Sequence, residues 1–355
     1  MTKKTVALLF GGVSSEHEVS CMSVSSVYEN IDREKYDVLL FGITKTGEWH
    51  LYDGDIDTVR KDQWPDDAEH LQKAFLCPDR AVHGAMVLRN GVWETKPIDV
   101  VFPVLHGKNG EDGTMQGLLE IAGIPYVGCD VLSSAVCMDK DVCHAILKAA
   151  GVPQVQWLTY TKEKPFEEAY EEVAETLGYP VFVKPANAGS SVGITMVKDA
   201  DGLEAAFELA FQNDKKIVVE AAVKDPIEVE CSVLGNRDPI AGFLGEVVPA
   251  DEFYSYDAKY YNAESKLYIP ARLSEEKTEE IRETAKRAYQ VLGCSGMTRV
   301  DFLVERATGK VVLNEPNTLP GFTNISMYPK LLMAAGMTYS GIIDRLLELA
   351  LEKAE

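Results

Sequence analysis

The chain has 355 residues, of which 46% are hydrophobic and 26% are charged, and its formal net charge is −21. This length exceeds what a single hydrophobic core usually organises, so we expect two or three domains that share a cleft. The composition is typical of a globular enzyme, and the strong negative charge argues against nucleic acid as a partner, because a polyanion binds to basic surfaces.

The first third of the chain alternates between strand-like and helix-like segments. Residues 6–10 form a short apolar run that ends in two glycines and leads into polar residues suited to a helix N-terminus. Residues 38–43 and 98–105 have the pattern of strands, and residues 112–122 and 139–150 have helical spacing. This alternation predicts an open, mostly parallel sheet over about the first 130 residues.

The pattern changes after Pro153. Strand-like and helical segments now follow one another without regular alternation, at residues 180–184, 194–197, 202–212, 216–220, 274–292, 298–304, 311–314 and 339–352. The shorter segments predict a small antiparallel sheet with a helix against it, and the later ones predict a further α+β unit. We therefore expect an α/β protein with three units.

The N-terminal apolar run and the cysteines bear on where the protein acts. The run is too short for a signal peptide or a membrane span. The seven cysteines are odd in number and show no CxxC or zinc-like spacing, a pattern typical of reduced thiols. We therefore expect a cytoplasmic protein without a membrane partner.

Asp301, Glu315 and Asn317 are the strongest candidates for a metal site. Asp301 shares a predicted strand with Arg299, while Glu315 and Asn317 end the following strand. Alternate residues of a strand face the same side, so these oxygen donors converge. An all-oxygen set suits Mg²⁺, which completes its shell with phosphates and water, whereas a surface hairpin with incidental acids is the structural alternative.

Lys184 ends a predicted strand and precedes the Gly-Ser-Ser-Val-Gly loop at residues 189–193. Glycines allow backbone N–H groups to approach a phosphate closely, and the lysine supplies a charge. A flexible loop without a ligand is the alternative. Neither GxxxxGK[ST] nor GxGxxG occurs, which disfavours ordinary phosphate-loop ATPases and nicotinamide dehydrogenases.

His106 lies between a predicted strand and Gly107, in a polar turn that contains several glycines. Open α/β sheets bind ligands at such strand ends, so we favour a functional role over a purely structural histidine.

Taken together, these segments resemble the D-alanine–D-alanine ligases of the ATP-grasp superfamily over nearly the whole chain. The matching motifs occur in the family's order, at residues 11–16, 105–107, 111–117, 138–140, 184–185, 189–193, 259–260, 299–301 and 315–321. Several of these motifs are weak when taken alone. Their order makes a chance match negligible.

The resemblance implies an ATP-grasp fold with three domains. An open parallel N-terminal sheet over residues 1–130 would hold the first D-alanine, and α+β domains over residues 131–225 and 226–355 would clamp ATP. The implied activity is ATP-dependent ligation of two D-alanines through a D-alanyl phosphate, for peptidoglycan synthesis and hence cell wall biogenesis and cell shape. The alternatives are a D-alanine–D-serine or D-alanine–D-lactate ligase of the vancomycin-resistance type, another carboxylate–amine ligase of this superfamily, and a silent nucleotide-binding regulator.

The resemblance also implies the ligands and the partner. ATP and two Mg²⁺ ions are expected, with Mn²⁺ able to replace Mg²⁺, and the assembly is expected to be a homodimer. The residues implied to bind ATP are Lys140, Lys184, Ser191, Glu220, Ala222, Val223 and Glu228. Alanines at residues 221–222 stand where some relatives have a lysine and an aromatic residue, so backbone and apolar contacts would hold the base.

The remaining implied roles concern the amino acids. Glu16 would hold the ammonium group of the first D-alanine, with Ser190 and Tyr260 completing a hydrogen-bonded trio, and Arg299 with the Gly321 N–H would stabilise the oxyanion. The other residues implied to contact substrate are His106, Lys259, Ser326 and Met327. Residues 253–261 would form a lid that excludes water. The apolar side chain of Met327 favours D-alanine over D-serine as the second substrate.

Overall fold

The structure is a computed structural model that describes residues 3–164, 166–248 and 266–354. Lys259, Tyr260 and the predicted lid at residues 253–261 lie outside the described residues. The described parts form three sheets covered by helices.

The N-terminal sheet has seven strands in the order β6-β5-β4-β3-β2-β1-β7. Their bounds are β1 Lys4–Gly11, β2 Tyr36–Ile43, β3 Trp49–Tyr52, β4 Leu71–Leu76, β5 Gly84–Arg89, β6 Val92–Pro97 and β7 Val100–Pro103. Strand β1 is parallel to β2 and β7, and the pairs from β2 to β6 are antiparallel.

The α/β class is confirmed, but the expectation of a mostly parallel N-terminal sheet is wrong for β3 to β6. Residues 44–48 and 90–91 link successive strands directly. Such short connections can only reverse the chain, because a parallel crossover needs roughly a dozen residues or more.

The other two sheets are antiparallel throughout their described strands. The central sheet has the order β10-β9-β11-β8, with β8 Trp157–Thr161, β9 Val181–Pro185, β10 Thr195–Val197 and β11 Lys216–Ala221. The C-terminal sheet has the order β14-β13-β12-β15-β16, with β12 Pro226–Gly235, β13 Ile240–Val248, β14 Lys266–Tyr268, β15 Gly296–Glu305 and β16 Val311–Asn317.

Ten α-helices among the described residues cover these sheets. Their bounds are α1 His17–Asn30, α2 Ile56–Arg60, α3 Thr114–Ala122, α4 Val131–Met138, α5 Lys140–Ala149, α6 Phe166–Thr176, α7 Leu203–Asn213, α8 Glu275–Val291, α9 Met327–Ala334 and α10 Tyr339–Ala354. Local sequence fixes several helix starts, because the side chains of Asp130, Asp139 and Ser274 each accept a hydrogen bond from a backbone N–H in the first turn. Among the residues that the structure describes, no helix is both long and apolar enough to cross a membrane.

The hydrophobic cores tie the three units together around a cleft. Phe10 of β1 shares a core with Phe322 and with Leu346 of α10, so the last helix packs on the N-terminal unit. Leu147 of α5 shares a core with Val300 of β15, so α5 packs on the C-terminal sheet. The loop that contains Phe322 is therefore held between the N-terminal and C-terminal units.

Candidate active site

Two neighbouring cavities occupy the cleft, with volumes of about 100 Å³ and about 340 Å³. Ser191, Ile194 and Glu315 line both of them, so the cavities share a wall. The smaller one is lined by Glu16, His106, Glu111, Lys140, Ser190, Arg299, Asn317 and Gly321. The larger one is lined by Lys184, Glu220, Ala222, Val223, Glu228 and Asp301. The cleft thus brings together most of the site residues expected from the sequence.

Glu16 provides the smaller cavity with a buried carboxylate. It stands at the N-terminal end of α1, but its side chain makes no capping hydrogen bond there. Its Oε1 accepts a hydrogen bond from the hydroxyl of Ser190 instead. A carboxylate held in this way can bind an ammonium group, which a capping carboxylate could not do while satisfying its own helix.

Two glycines leave room for the Glu16 carboxylate. A Cβ added at Gly107 would lie 2.6 Å from Glu16 Oε2, and one added at Gly189 would lie 2.9 Å from the same atom. Gly107 also has a φ of +68°, which L side chains rarely adopt. The glycines of both loops are therefore required by close approach to one charged group.

His106 and Glu111 together hold the backbone of Leu319. His106 Nδ1 lies 3.0 Å from the carbonyl oxygen of Leu319, and the N–H of Leu319 donates to Glu111 Oε1 at 3.3 Å. The hydroxyl of Ser23 lies 3.2 Å from His106 Nε2. Since a carbonyl only accepts, Nδ1 carries the proton and Nε2 accepts from Ser23. The N-terminal unit thereby fixes the segment that leads to Gly321.

The two groups of this clamp are both kept neutral by burial. Burial lowers the pKa of His106, although the nearby Glu16 carboxylate opposes this. Burial, with the negative charge of Glu16, raises the pKa of Glu111 to about 8, against hydrogen bonds from the N–H groups of Gly107 and Leu319. Glu16 is therefore accompanied by a second carboxyl group that resists ionisation.

Arg299 and Asp301 extend from the same face of β15. Arg299 Nε and Nη2 donate to the two carboxylate oxygens of Asp301 at 2.8 and 2.7 Å, and Nε also lies 3.1 Å from Glu230 Oε2. Asn317 Nδ2 donates to Asp301 Oδ2 at 3.0 Å, and Glu315 is paired with Asp301 across the strands. Arg299 thus contacts the carboxylates of Asp301 and Glu230, and Asn317 and Glu315 lie beside Asp301 where the cavities meet.

The lysines stand on either side of the loop at residues 189–193. Lys140 Nζ donates to the carbonyl oxygen of Ala188 at 2.8 Å and lines the smaller cavity. Lys184 Nζ donates to Glu220 Oε2 at 2.6 Å and lines the larger one. Burial by itself raises the pKa of Glu220, but Lys184 and His144 outweigh this and lower it to about 2. The positive charges expected for phosphate binding are therefore present on both sides.

The residues expected at the second amino acid have different surroundings. The hydroxyl of Ser326 accepts from the N–H of Thr323 at 3.0 Å, and a Cβ added at Gly321 would lie 2.9 Å from it. Met327 is buried in a small apolar cluster with Val247 and Leu331, and it lines neither cavity. Its contact with a second substrate stays a prediction, and from this position it would act through packing.

Three residues of the site were not singled out from the sequence, namely Glu111, His144 and Glu230. Glu111 stands in a motif used for the resemblance, but no local pattern shows that it reaches Leu319. His144 lies one helical turn after Lys140 in α5, which is the spacing of neighbours on one helix face. Glu230 alternates with Glu228 along β12, and this spacing places both on one face.

Two family models match the chain. One, described as D-ala D-ala ligase N-terminus, covers residues 5–129, and the other, described as D-ala D-ala ligase C-terminus, covers residues 146–348. The chain is 51% identical to the D-alanine–D-alanine ligase of Thermoanaerobacter sp. (strain X514) over 354 residues, which are 99% of this chain and 98% of that protein. It is 50% identical to the D-alanine–D-alanine ligase of Clostridium acetobutylicum over 353 residues, which are 98% of each chain.

Solved structures with a similar fold include two ligases. The VanG D-Ala:D-Ser ligase from Enterococcus faecalis is 42% identical with a TM-score of 0.90, and the match covers 98% of this chain and 100% of that one. The D-alanine-D-alanine ligase from Coxiella burnetii is 35% identical with a TM-score of 0.86, and the match covers 99% of this chain and 96% of that one.

Proposed function

Because the chain belongs to the D-alanine–D-alanine ligase family, we propose that it uses ATP to join two D-alanines into D-alanyl-D-alanine. One observation carries this proposal beyond the family match. An amine-binding carboxylate, Glu16, and two lysines suited to phosphates line neighbouring cavities that share Ser191 and Glu315. The product is a precursor for peptidoglycan and hence for the cell wall.

The first D-alanine would bind in the smaller cavity. Its ammonium group would take the place beside Glu16 Oε1 and the hydroxyl of Ser190. Neutral His106, which lines the same cavity, would lie near its carboxylate without adding a charge that would compete with phosphate. Tyr260 would complete the ammonium site from the segment beyond residue 248, which is outside the described residues.

ATP would occupy the larger cavity. Ala222 and Val223 supply apolar wall for the base, Glu228 is suited to the ribose hydroxyls, and Lys184 with Lys140 would face the phosphates. An oxygen of the first carboxylate attacks the γ-phosphorus, ADP leaves, and a D-alanyl phosphate forms. This step needs alignment and charge neutralisation more than covalent help from the protein.

The donors of Asp301, Glu315 and Asn317 fit a divalent cation. All three present oxygen atoms where the cavities meet, and their strands are in register. Mg²⁺, or Mn²⁺ in its place, would neutralise phosphate charge there when bound, and two ions are proposed. Arg299 donates to both carboxylate oxygens of Asp301, so a bound cation would share Asp301 with Arg299.

The second D-alanine would complete the reaction. Its neutral amine attacks the carbonyl carbon of the acyl phosphate, and the carbonyl π-bond opens to an oxyanion. Collapse then expels inorganic phosphate, which takes up the proton that the nitrogen loses. Arg299 and the N–H of Gly321 are the proposed donors to that oxyanion. Ser326 and Lys259 would hold the carboxylate of the second substrate and the departing phosphate.

The activity is tested by adding ATP, Mg²⁺ and D-alanine and by measuring phosphate release together with product mass. We expect one phosphate for each D-alanyl-D-alanine. Lys184→Gln should remove most turnover, whereas Lys162→Gln, at an exposed site outside both cavities, serves as the matched control. Phosphate release that does not depend on D-alanine, or the absence of dipeptide, would contradict the proposal.

D-Alanine–D-serine ligation is the second candidate, because the VanG ligase named for that reaction is similar over 98% of this chain. We propose that D-alanine is preferred. Apolar pockets reject an added hydroxyl by only about 10²-fold, so the preference is expected to be incomplete. Equimolar D-alanine and D-serine should give mainly D-alanyl-D-alanine, and a majority of mixed dipeptide would favour the second candidate.

We also propose a homodimer that acts in the cytoplasm. All seven cysteines are free thiols, and Cys137 and Cys294 remain unbonded with their sulfurs 3.8 Å apart, as expected in a reducing compartment. Light scattering coupled to gel filtration measures the oligomeric state. A mass near the 39.1 kDa of one chain would contradict the dimer.

A further inference from the structure

A buried group of three charged side chains forms the floor of the larger cavity. Glu220 uses both of its carboxylate oxygens there, since Oε2 accepts from Lys184 Nζ at 2.6 Å and Oε1 lies 3.1 Å from His144 Nε2. The side chains of Glu220 and His144 are each 5% exposed, and that of Lys184 is 11% exposed. Lys184 and Glu220 line the cavity, while His144 lies behind them.

The hydrogen bonds of His144 determine its protonation. Nδ1 lies 2.5 Å from Gln154 Oε1, and the orientation of the Gln154 amide is fixed because its Nε2 donates to the backbone carbonyl of His144 at 3.0 Å. Nε2 faces Glu220. Both ring nitrogens therefore meet acceptors, so both must donate, and the ring is an imidazolium.

The surroundings of this imidazolium are consistent with a positive charge. Its ring stacks on Trp157, with centroids 4.7 Å apart and planes inclined by 19°. Asp141 accepts from the indole N–H of Trp157, and Lys148 Nζ lies 5.0 Å from the Trp157 ring centroid. Among the described residues that contact the His144 side chain, the charged partner is Glu220, whose other oxygen holds Lys184.

The protonation of His144 changes what the cavity offers to an anion. With a neutral histidine, Lys184 and Glu220 form a pair without net charge. With the imidazolium, the three groups together carry one positive charge, and the carboxylate is shared between two cations. Lys184 can then turn toward a phosphate while Glu220 remains paired with His144.

We propose that His144 is a positioning residue for the nucleotide, whose imidazolium holds Glu220 so that the charge of Lys184 is available to the phosphates of ATP. The inference rests on the proposed function, because it assigns ATP to the larger cavity. It predicts that the affinity for nucleotide falls when a neutral residue replaces His144, with little change in the chemical step. The interaction of His144 with Glu220 is strong because solvent and salt screen buried charges poorly.

The test compares His144→Gln, which is neutral, with His144→Lys, which keeps a charge beside Glu220. KM for ATP and kcat are measured from pH 6 to pH 9 at saturating D-alanine, and ADP binding is measured by calorimetry. At pH 6.5 we expect His144→Gln to raise KM for ATP by about tenfold, because Lys184 then stays paired with Glu220 and makes a weaker charge-assisted hydrogen bond to phosphate, with kcat nearly unchanged. His144→Lys, which keeps a positive charge beside Glu220, should restore a low KM.

A second variant keeps the test decisive if the first is unstable. Gln154→Leu removes the acceptor of Nδ1 without touching Glu220, so KM for ATP should rise as in His144→Gln while kcat stays nearly unchanged, a split that a general loss of packing would not produce. His70→Gln is the matched control, because His70 is a half-exposed histidine paired with Asp53 in the N-terminal unit.

The inference is overturned if His144→Gln binds nucleotide like the wild type, if His144→Lys behaves like His144→Gln, or if Gln154→Leu leaves KM for ATP unchanged. Calorimetry with ADP needs no turnover. ADP binding that follows the predicted pattern without dipeptide formation would therefore count against the ligase activity and not against His144.

Discussion

The buried Glu111 predicts that stability falls as pH rises, which is opposite to the pH dependence of a carboxylate held in an ion pair. Burial and the charge of Glu16 raise the pKa of Glu111 from an ordinary value of 4.5 to about 8. Below pH 4.5 the group is protonated in both the folded and the unfolded chain. As pH rises from 4.5 through 8 only the unfolded chain ionises at first, so the stabilising contribution present at low pH is lost. Replacing Glu111 with glutamine should therefore stabilise the protein at alkaline pH.

The size of this effect on the free energy of unfolding follows from the difference between the unfolded and the folded pKa of Glu111. Each tenfold change in proton affinity corresponds to about 1.4 kcal/mol, so the interval from 4.5 to about 8 corresponds to at most about 5 kcal/mol. Glutamine has one oxygen for the two N–H donors of Gly107 and Leu319, and an unpaired donor costs ~1–3 kcal/mol. The gain outweighs the cost, and we expect a net stabilisation of roughly 2–4 kcal/mol at pH 8.5.

The assay is thermal unfolding of the wild type and Glu111→Gln between pH 5 and pH 9. Near pH 5 the variant should melt no higher than the wild type, because its unpaired N–H costs ~1–3 kcal/mol. The difference should reverse as pH rises, so that at pH 8.5 the variant melts higher by roughly 2–4 °C for each kcal/mol. Glu167→Gln, at an exposed position of α6, should track the wild type throughout. A variant that melts lower than the wild type at pH 8.5, or a difference independent of pH, would refute the reasoning.

Three further predictions concern the same cleft. Glu16→Gln should raise KM for the first D-alanine by roughly 10- to 100-fold, because a charged hydrogen bond of ~1.5–3 kcal/mol is lost, with little change in Tm. Steady-state kinetics and a melt decide this, and a lower Tm with unchanged KM would favour a structural role. Glu315→Gln should fold normally but lose most turnover, and wild-type activity at low Mg²⁺ would refute the metal assignment. Gly107→Ala should lower kcat/KM for D-alanine far more than Gly91→Ala, since both glycines have positive φ but only at Gly107 would a Cβ meet Glu16. Equal losses in the two variants would show that the clash is unimportant.

Much of the local structure could be predicted from the sequence. The apolar run at residues 6–10 forms the centre of β1, and the alternation at Arg299 and Asp301 puts both on one face of β15. These outcomes depend on the two-residue period of a strand and on burial of apolar side chains, which neighbouring residues decide. Helix starts at Asp130 and Asp139 follow from capping within the first turn, which is equally local.

The direction of strand pairing in the N-terminal sheet could not be predicted from the sequence. The short segments at β3 to β6 fit either direction of pairing, because side-chain alternation is the same in parallel and antiparallel strands. A short connection decides the direction between β2 and β3 and between β5 and β6, but residues 53–70 between β3 and β4 are long enough for either direction, so tertiary packing decides that pair. The surroundings of Met327 illustrate the same limit, since an apolar residue suits a pocket wall and a small core equally well.

By itself, the sequence determined which residue types were available for amine, phosphate and metal binding, and in what order along the chain. The tertiary structure decided which of them meet. Glu16 and Ser190 are 174 positions apart, Glu111 and Leu319 are 208 apart, and His144 and Glu220 are 76 apart. These contacts set the two protonation states on which the predictions depend, the neutral Glu111 and the charged His144. Protonation follows from burial and from the partners at each atom, and neither is encoded within a few residues of the titrating group.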